Sequence, residues 1–472
     1  MPETTAPLQQ RIARRCPACG RVSAASERCL HCWRDIATIP PLPPEEAESA
    51  LTVEAALARR RDAGWLTAGR VWRFGPVALV ALLVSWWVYG TFIDKPPRPD
   101  APSSTTRSAA VGVWSTQDGD SRGIRSTMAS AHLGGTEAWR VALGSPVATP
   151  LVTDGRLIVA ALQDGRLVGI EAPSGQTLWT APLNNPPFAA PVIAGDRIYV
   201  AQREGVIRVL GAVDGHEVWH SRFVAGSFEA SPLVVDGVVY AYSTDGLFAF
   251  DAEDGRILWE QIFDVGWATV APVVEGKHLV IATGEKAIVY DRKSGQQTYY
   301  VTFSRSQPSS VAIHEGEVLA VFGRNATLFR ADARRPWWDG FRGIWFRFHL
   351  IGMGPAVPPP PTVWDVTSLP GTTMAAAMGQ DVAVVASPDG TVTALARTDG
   401  KSVWAAKANR LVAAPILTAD GVLLVEEGQL LLLDPATGQQ RAERKVDGLR
   451  AATPAEAAMY LATAAGDVIA LR

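Results

Sequence analysis

The chain has no cysteine after Cys32, so no disulfide can hold the rest of its 472 residues together. That remainder must fold on buried apolar surface, and a hydrophobic share of 47% supplies enough of it. No G-x-x-x-x-G-K loop and no G-x-S-x-G elbow occurs, which removes the commonest sequence signals for nucleotide binding and serine hydrolysis. Histidine is scarce, and His216, His278 and His314 fall in or beside turns without a nucleophile partner. Neither sign of charge dominates: 44 basic against 47 acidic residues leaves a net charge of −3, so no basic face is implied and no nucleic acid partner is expected. Outside about 333–362, helical periodicity is missing from residue 135 onward. Charge is missing altogether from Phe74 to Ile93.

That uncharged run holds 20 residues and reaches about 30 Å as a helix, the thickness of a bilayer's hydrocarbon core. Trp72 and Phe74 mark one boundary, while Trp86, Trp87, Tyr89 and Phe92 crowd the other, as interfacial aromatics do. Arg59, Arg60, Arg61, Arg70 and Arg73 precede it; Lys95, Arg98 and Arg107 follow. The imbalance predicts a single-pass membrane protein with residue 1 in the cytoplasm and everything after the span outside. A cleaved signal peptide is the alternative, but such a peptide begins close to the N-terminus, and about 70 residues come first here.

All four cysteines then lie on the reducing side, as Cys16-Pro-Ala-Cys19 and Cys29-Leu-His-Cys32. Each C-x-x-C pair folds a tight turn that aims two thiolates at one point. Two such turns make the closed four-sulfur shell that Zn²⁺ favours in structural sites. Disulfides or redox thiols are the other readings, and the compartment argues against them; His31 is expected to be a spacer. The motif resembles the compact zinc ribbons found at the N-termini of many bacterial membrane proteins. The expected order is a zinc ribbon at 1–39, a linker at 40–73, the span at 74–93, a Pro/Ser/Thr-rich tether and lead-in at 94–134, and a repeat domain at 135–472.

In that last domain a large aromatic recurs every 40 residues, as Trp139, Trp179, Trp219, Trp259 and Tyr299, each four residues after a turn glycine. Trp364 and Trp404 resume the same interval. The period and the short β-branched runs between Gly-Asp, Glu-Gly and Asp-Gly turns predict four-stranded blades stacked round an axis. The last unit, Pro454 to Arg472, has three strand-like pieces, and Gly135 to Val141 supplies the missing fourth. The expected fold is therefore all-β: an eight-bladed propeller closed by an N-terminal strand. The repeats, most complete from Ala189 to Trp259, follow A-P-V…G-x-x-x-V…D-G-x-x-x-A-x-D-x-x-x-G-x-x-x-W. They resemble the PQQ-like propeller family, and Trp114 to Gly123 looks like the short lead-in that often precedes such domains. The resemblance implies either a quinone-dependent dehydrogenase or a BamB-like envelope assembly scaffold. With the likeness of the zinc ribbon, it also implies that the membrane spanned is the bacterial inner membrane.

The dehydrogenases of that family place a quinone and Ca²⁺ on the axis with an acidic base. This chain has no concentrated set of acidic residues in its loops: Asp214, Asp254 and Asp399 repeat in phase as turn residues, and Asp118-Gly119-Asp120 reads as a turn more readily than as a metal loop. No catalytic residue and no PQQ is expected, and the zinc is structural. The departure from the repeat is an insertion at about 333–362, between the third and fourth strands of blade five. Its Trp337, Phe341, Ile344, Trp345, Phe348 and Ile351 fall at helical spacing, with Arg342 and Arg347 elsewhere. Trp337, Trp338, Phe341, Arg342, Trp345, Arg347 and Phe348 are the candidate contact residues for a partner or a membrane, unless the aromatics fold onto the propeller itself. The expectation is a membrane-anchored scaffold that binds protein partners in envelope assembly or organisation. A quinoprotein-like dehydrogenase and a transmembrane sensor are the alternatives.

Overall fold

A computed structural model describes residues 12–24, 27–29, 32–50, 52, 79–86, 100–106, 108, 113–183, 185–224, 226–262, 269–303, 307–333, 342–355, 361–371 and 373–472. The chain divides into two compact units, Met1–Pro97 and Arg98–Arg472.

In the first unit the strands Ala13–Arg15 and Val22–Ala24 form an antiparallel ribbon, and a short helix covers 44–50. Of the expected span, residues 79–86 are helical; 74–78 and 87–93 lie outside the described residues. Among the described residues no helix is long and apolar enough to cross a membrane.

The second unit contains eight four-stranded antiparallel sheets. Blade three has the regular pattern, with strands Leu233–Val235, Val238–Ser243, Gly246–Asp251 and Ile257–Ile262 in consecutive order. Blade eight is composite. Leu449–Ala455, Ala458–Thr463 and Asp467–Leu471 come from one end of the sequence, and Glu137–Ala142 completes the sheet, pairing Val141 with Val468. Eight apolar clusters each join two neighbouring blades, and the cluster of Ile158, Ile170, Tyr460 and Val468 joins blade eight to blade one. Burial between blades is thus the main cohesive term, since a single blade has too few residues to cover both its faces.

The recurrent tryptophans are the joints. Opposite the tryptophans of blades one, two, three and six, and opposite Tyr299 in blade four, the third and fourth strands slip register, as between Ala249 and Phe250. Such a bulge twists the outer strand and re-aims its side chains. The indole then reaches the next blade: Nε1 of Trp219 donates to the Ala252 carbonyl at 3.3 Å and Nε1 of Trp404 to the Pro435 carbonyl at 2.8 Å. Gly255 lies beneath Trp219 with φ +74°, and a Cβ there would sit 2.7 Å from the ring, so a left-handed turn and a close approach both require glycine.

Two positions break this rule for one reason. Tyr299 faces blade five, whose turn carries the insertion, and its hydroxyl donates to the Pro361 carbonyl at 2.7 Å instead. Ala442 faces blade eight, where the chain break leaves no turn, and Arg444 there donates instead to the Leu133 carbonyl at 2.9 Å and to the Gly135 carbonyl.

Candidate functional sites

The four cysteines converge. Their sulfurs all lie within 4.8 Å of one another, with Cys16 Sγ 3.6 Å from Cys32 Sγ and Cys19 Sγ 3.5 Å from Cys29 Sγ. Tetrahedral zinc at a Zn–S distance of about 2.3 Å separates its sulfurs by roughly 3.8 Å, so the cluster is close to the size of that shell. Each knuckle is closed by its own backbone. Cys16 N–H donates to Arg21 at 2.9 Å and Cys29 N–H to Arg34 at 2.8 Å, and Gly20 and Trp33 take matching left-handed conformations at φ 72° and 61°. Cys16 and Cys29 are buried; Cys19 and Cys32 are exposed. The backbone N–H of Cys19 holds the Cys16 thiol below its ordinary value. The N–H of Arg21 acts the same way on Cys19, but desolvation and the crowding of the other thiols prevail and push it up to about 12. Four such sulfurs cannot all ionise together without a cation, which is the electrostatic condition of a metal site. The residues present therefore fit a metal ion.

In the propeller the lead-in lies across the axis. The Trp114 carbonyl accepts from Thr153 N–H in blade one, Ser115 from Ile193 in blade two, Ser121 from Val274 in blade four, Arg122 from Ile313 in blade five, Ile124 from Met378 in blade six and Arg125 from Leu417 in blade seven. Gln117 Oε1 accepts from Ser231 Oγ beside blade three at 3.0 Å. All but Ser231, which precedes the first strand of blade three, lie at or near the C-terminal ends of first strands, so the segment lies across the face that carries the first–second and third–fourth turns. Asp118 and Asp120 belong to this closure: Asp118 pairs with Arg125 at 2.6 Å and Asp120 with Arg122 at 2.5 Å.

Above that floor a cavity of about 580 Å³ opens towards the other face, lined by Pro146–Pro150, Gln163, Val412–Ala414, Arg450 and Thr463 among others. Asp118 is its only carboxylate and is committed to Arg125. A quinone held with Ca²⁺ needs free acidic ligands, and this lining does not offer them. The sequence marks the lead-in but not its position, because its partners are carbonyls and amides spread over seven blades.

The tether docks on the closed face. Ser103 donates from both N–H and Oγ to the buried Asp251 carboxylate at 2.6 Å, and Arg256 pairs with Asp100 at 3.0 Å. Burial raises the Asp251 pKa, but the Ser103 bonds, the Glu253 N–H and Arg256 outweigh it and hold the group below its ordinary value.

Of the insertion's candidate contacts, Trp337, Trp338 and Phe341 lie outside the described residues. A helix runs Arg342–Leu350. Trp345 is half-buried and its Nε1 donates to the Pro355 carbonyl at 3.0 Å, while Arg347 and Phe348 are exposed. The expected single apolar stripe is not what forms: Phe346 and Leu350, on another side of the helix, are 51% and 67% exposed.

Ring, blade order and repeat define the class, an eight-bladed propeller of PQQ-type repeats. The family described as outer membrane protein assembly factor BamB matches residues 125–189, 163–339 and 361–472, and the chain belongs to it. The gap between the second and third matches, 340–360, falls in the insertion, and residues 1–124 precede the first match. Among solved structures the chain is similar to BamB from Moraxella catarrhalis, at 16% identity over 71% of this chain and 97% of that one with a TM-score of 0.55. It is similar also to the computationally designed Ika8 protein, at 13% identity over 70% and 97% with a TM-score of 0.57. A third likeness is quinohemoprotein alcohol dehydrogenase from Comamonas testosteroni, at 13% identity over 77% and 81% with a TM-score of 0.57. These likenesses establish the fold alone. Among curated proteins none matches the chain.

Proposed function

We propose that this chain is a non-enzymatic, single-pass inner-membrane scaffold whose extracytoplasmic propeller binds a protein partner in envelope assembly, with a structural zinc ribbon on the cytoplasmic side. Membership of the BamB family supports the scaffold role, and the lining of the 580 Å³ cavity, with its one carboxylate already paired, supports a reading without quinone chemistry there. The uncharged run at 74–93 supports the anchor.

One observation carries the partner reading. On the face opposite the tether, Phe188 and Phe223 are 57% and 70% exposed, and the turn Arg203–Gly205 lies between them. The Arg203 guanidinium stacks over the Phe188 ring at 4.4 Å, and Val224 N–H donates to Gly205 at 3.0 Å. Two exposed aromatics, one of them under an arginine, are the residue types that anchor protein interfaces, and left in water they are a liability. Cross-linking and affinity capture of the full chain from native membranes, compared with Phe188→Ala/Phe223→Ala, tests this. The pair should lose a specific cross-linked partner while its unfolding midpoint stays unchanged. An identical cross-linking pattern in wild type and variant would remove this patch as the partner site.

A further inference from the structure

We propose that the insertion helix Arg342–Leu350 docks in the lipid headgroup layer and holds the closed face of the propeller against the bilayer; this rests on the reading of 74–93 as the membrane anchor. Ile344, Phe348 and Ile351 occupy one side of the helix, and Phe346 and Leu350 another, all of them exposed. A protein groove covers a single stripe, whereas exposed apolar side chains on two sides with Arg347 and His349 between them suit a layer that offers both acyl chains and headgroups. Nine residues give about 14 Å, too short to span the bilayer and long enough to settle in its interface. From Arg342 to Met353 there is no acidic residue, while Arg347 and His349 sit in the helix's last turn, matching anionic headgroups.

Position supports the same occupant. The insertion replaces a third–fourth turn, and the tether docks on the first–second and third–fourth turns of blade three, at Asp236 and Asp251. Tether and insertion therefore share a face. Asp100 is already docked there, and the seven residues from Ile93 reach at most about 25 Å. An anchor ending at Ile93 thus keeps that face within reach of the membrane surface. Met128 and Val213, 90% and 83% exposed, lie in segments on the same face.

The test uses the full chain in vesicles of phosphatidylethanolamine and phosphatidylglycerol, with photoreactive benzoylphenylalanine placed singly at Leu82, Phe348 or Phe223. Mass spectrometry of the irradiated protein should find lipid adducts at Leu82 and Phe348 and none at Phe223. Adducts at Leu82 with none at Phe348 would overturn the docking proposal alone, as would cross-links from Phe348 to this chain's own propeller or to another protein. Equal lipid adduct at Phe223 would overturn the preference for one face. Absence of adduct at Leu82 would remove the anchor reading and this proposal with it.

Discussion

Trp404 and Gly438 sit in adjacent blades, and the side chain of one fixes what the other can be. A Cβ at Gly438 would come within 2.5 Å of the indole, on a backbone at φ +70°. Gly438→Ala should therefore cost about 1 to 2 kcal/mol from the left-handed conformation before any clash is counted. Trp404→Ala should cost roughly 3 to 5 kcal/mol. Denaturant unfolding of the double variant should give less than the sum, because removing the ring relieves the clash; strict additivity would mean the two residues are not coupled as described. The reverse substitution is informative too. Ala442→Trp should lower the unfolding midpoint rather than raise it, since in blade eight the Leu133 and Gly135 carbonyls are already taken by Arg444 and the surroundings are already packed. In the first unit, the four clustered sulfurs predict one Zn²⁺ per chain, read by metal analysis, and Cys16→Ser or Cys29→Ser should lose it, since each removes a buried ligand. A zinc-free protein with four reactive thiols after purification with zinc present would count against the ribbon.

The tether is the element whose behaviour depends on one ionisation. Because the folded Asp251 pKa lies below its ordinary value, tether docking is at full strength above the usual carboxylate range, near 4, and is lost as pH falls through the lowered folded value. It should be insensitive to pH near neutrality. Asp251→Asn should raise hydrogen exchange at the Ser103 amide by roughly 10- to 100-fold at neutral pH, the worth of a hydrogen bond to a charged group; unchanged exchange would mean the tether is not held there. The blades were legible before the fold was seen because Trp219 to Gly255 and its equivalents repeat a local rule at fixed spacing. The composite eighth blade was legible from a deficit, three strands near Leu471 and a spare one at Trp139. The tether's docking was not, because Asp251 looks like any other turn aspartate in phase with Asp291 and Asp434. The insertion was legible as a departure, but its exposure was not: helical spacing predicts one stripe, and Phe346 and Leu350 break it without disturbing any motif.

At the scale of the whole molecule, charge order and tether docking predict a sidedness. A cysteine at Thr105, an exposed tether position, should react with an impermeant maleimide in intact spheroplasts, while Cys19 and Cys32 react only after the membrane is opened and the metal removed. Labelling in the opposite order would invert the topology. The closure of blade eight sets a clock as well as a shape. Arg140 reaches Asp467 across 327 positions. At about 5 to 20 residues per second, the first strand of the propeller to be synthesised waits roughly 15 to 65 s for its partners. Throughout that interval Glu137–Ala142 is an unpaired strand, and every blade is built before the ring can shut. Closure of the ring is therefore tied to synthesis of its last blade, and the vulnerable species is a propeller with seven complete blades still lacking the strand Asp467–Leu471.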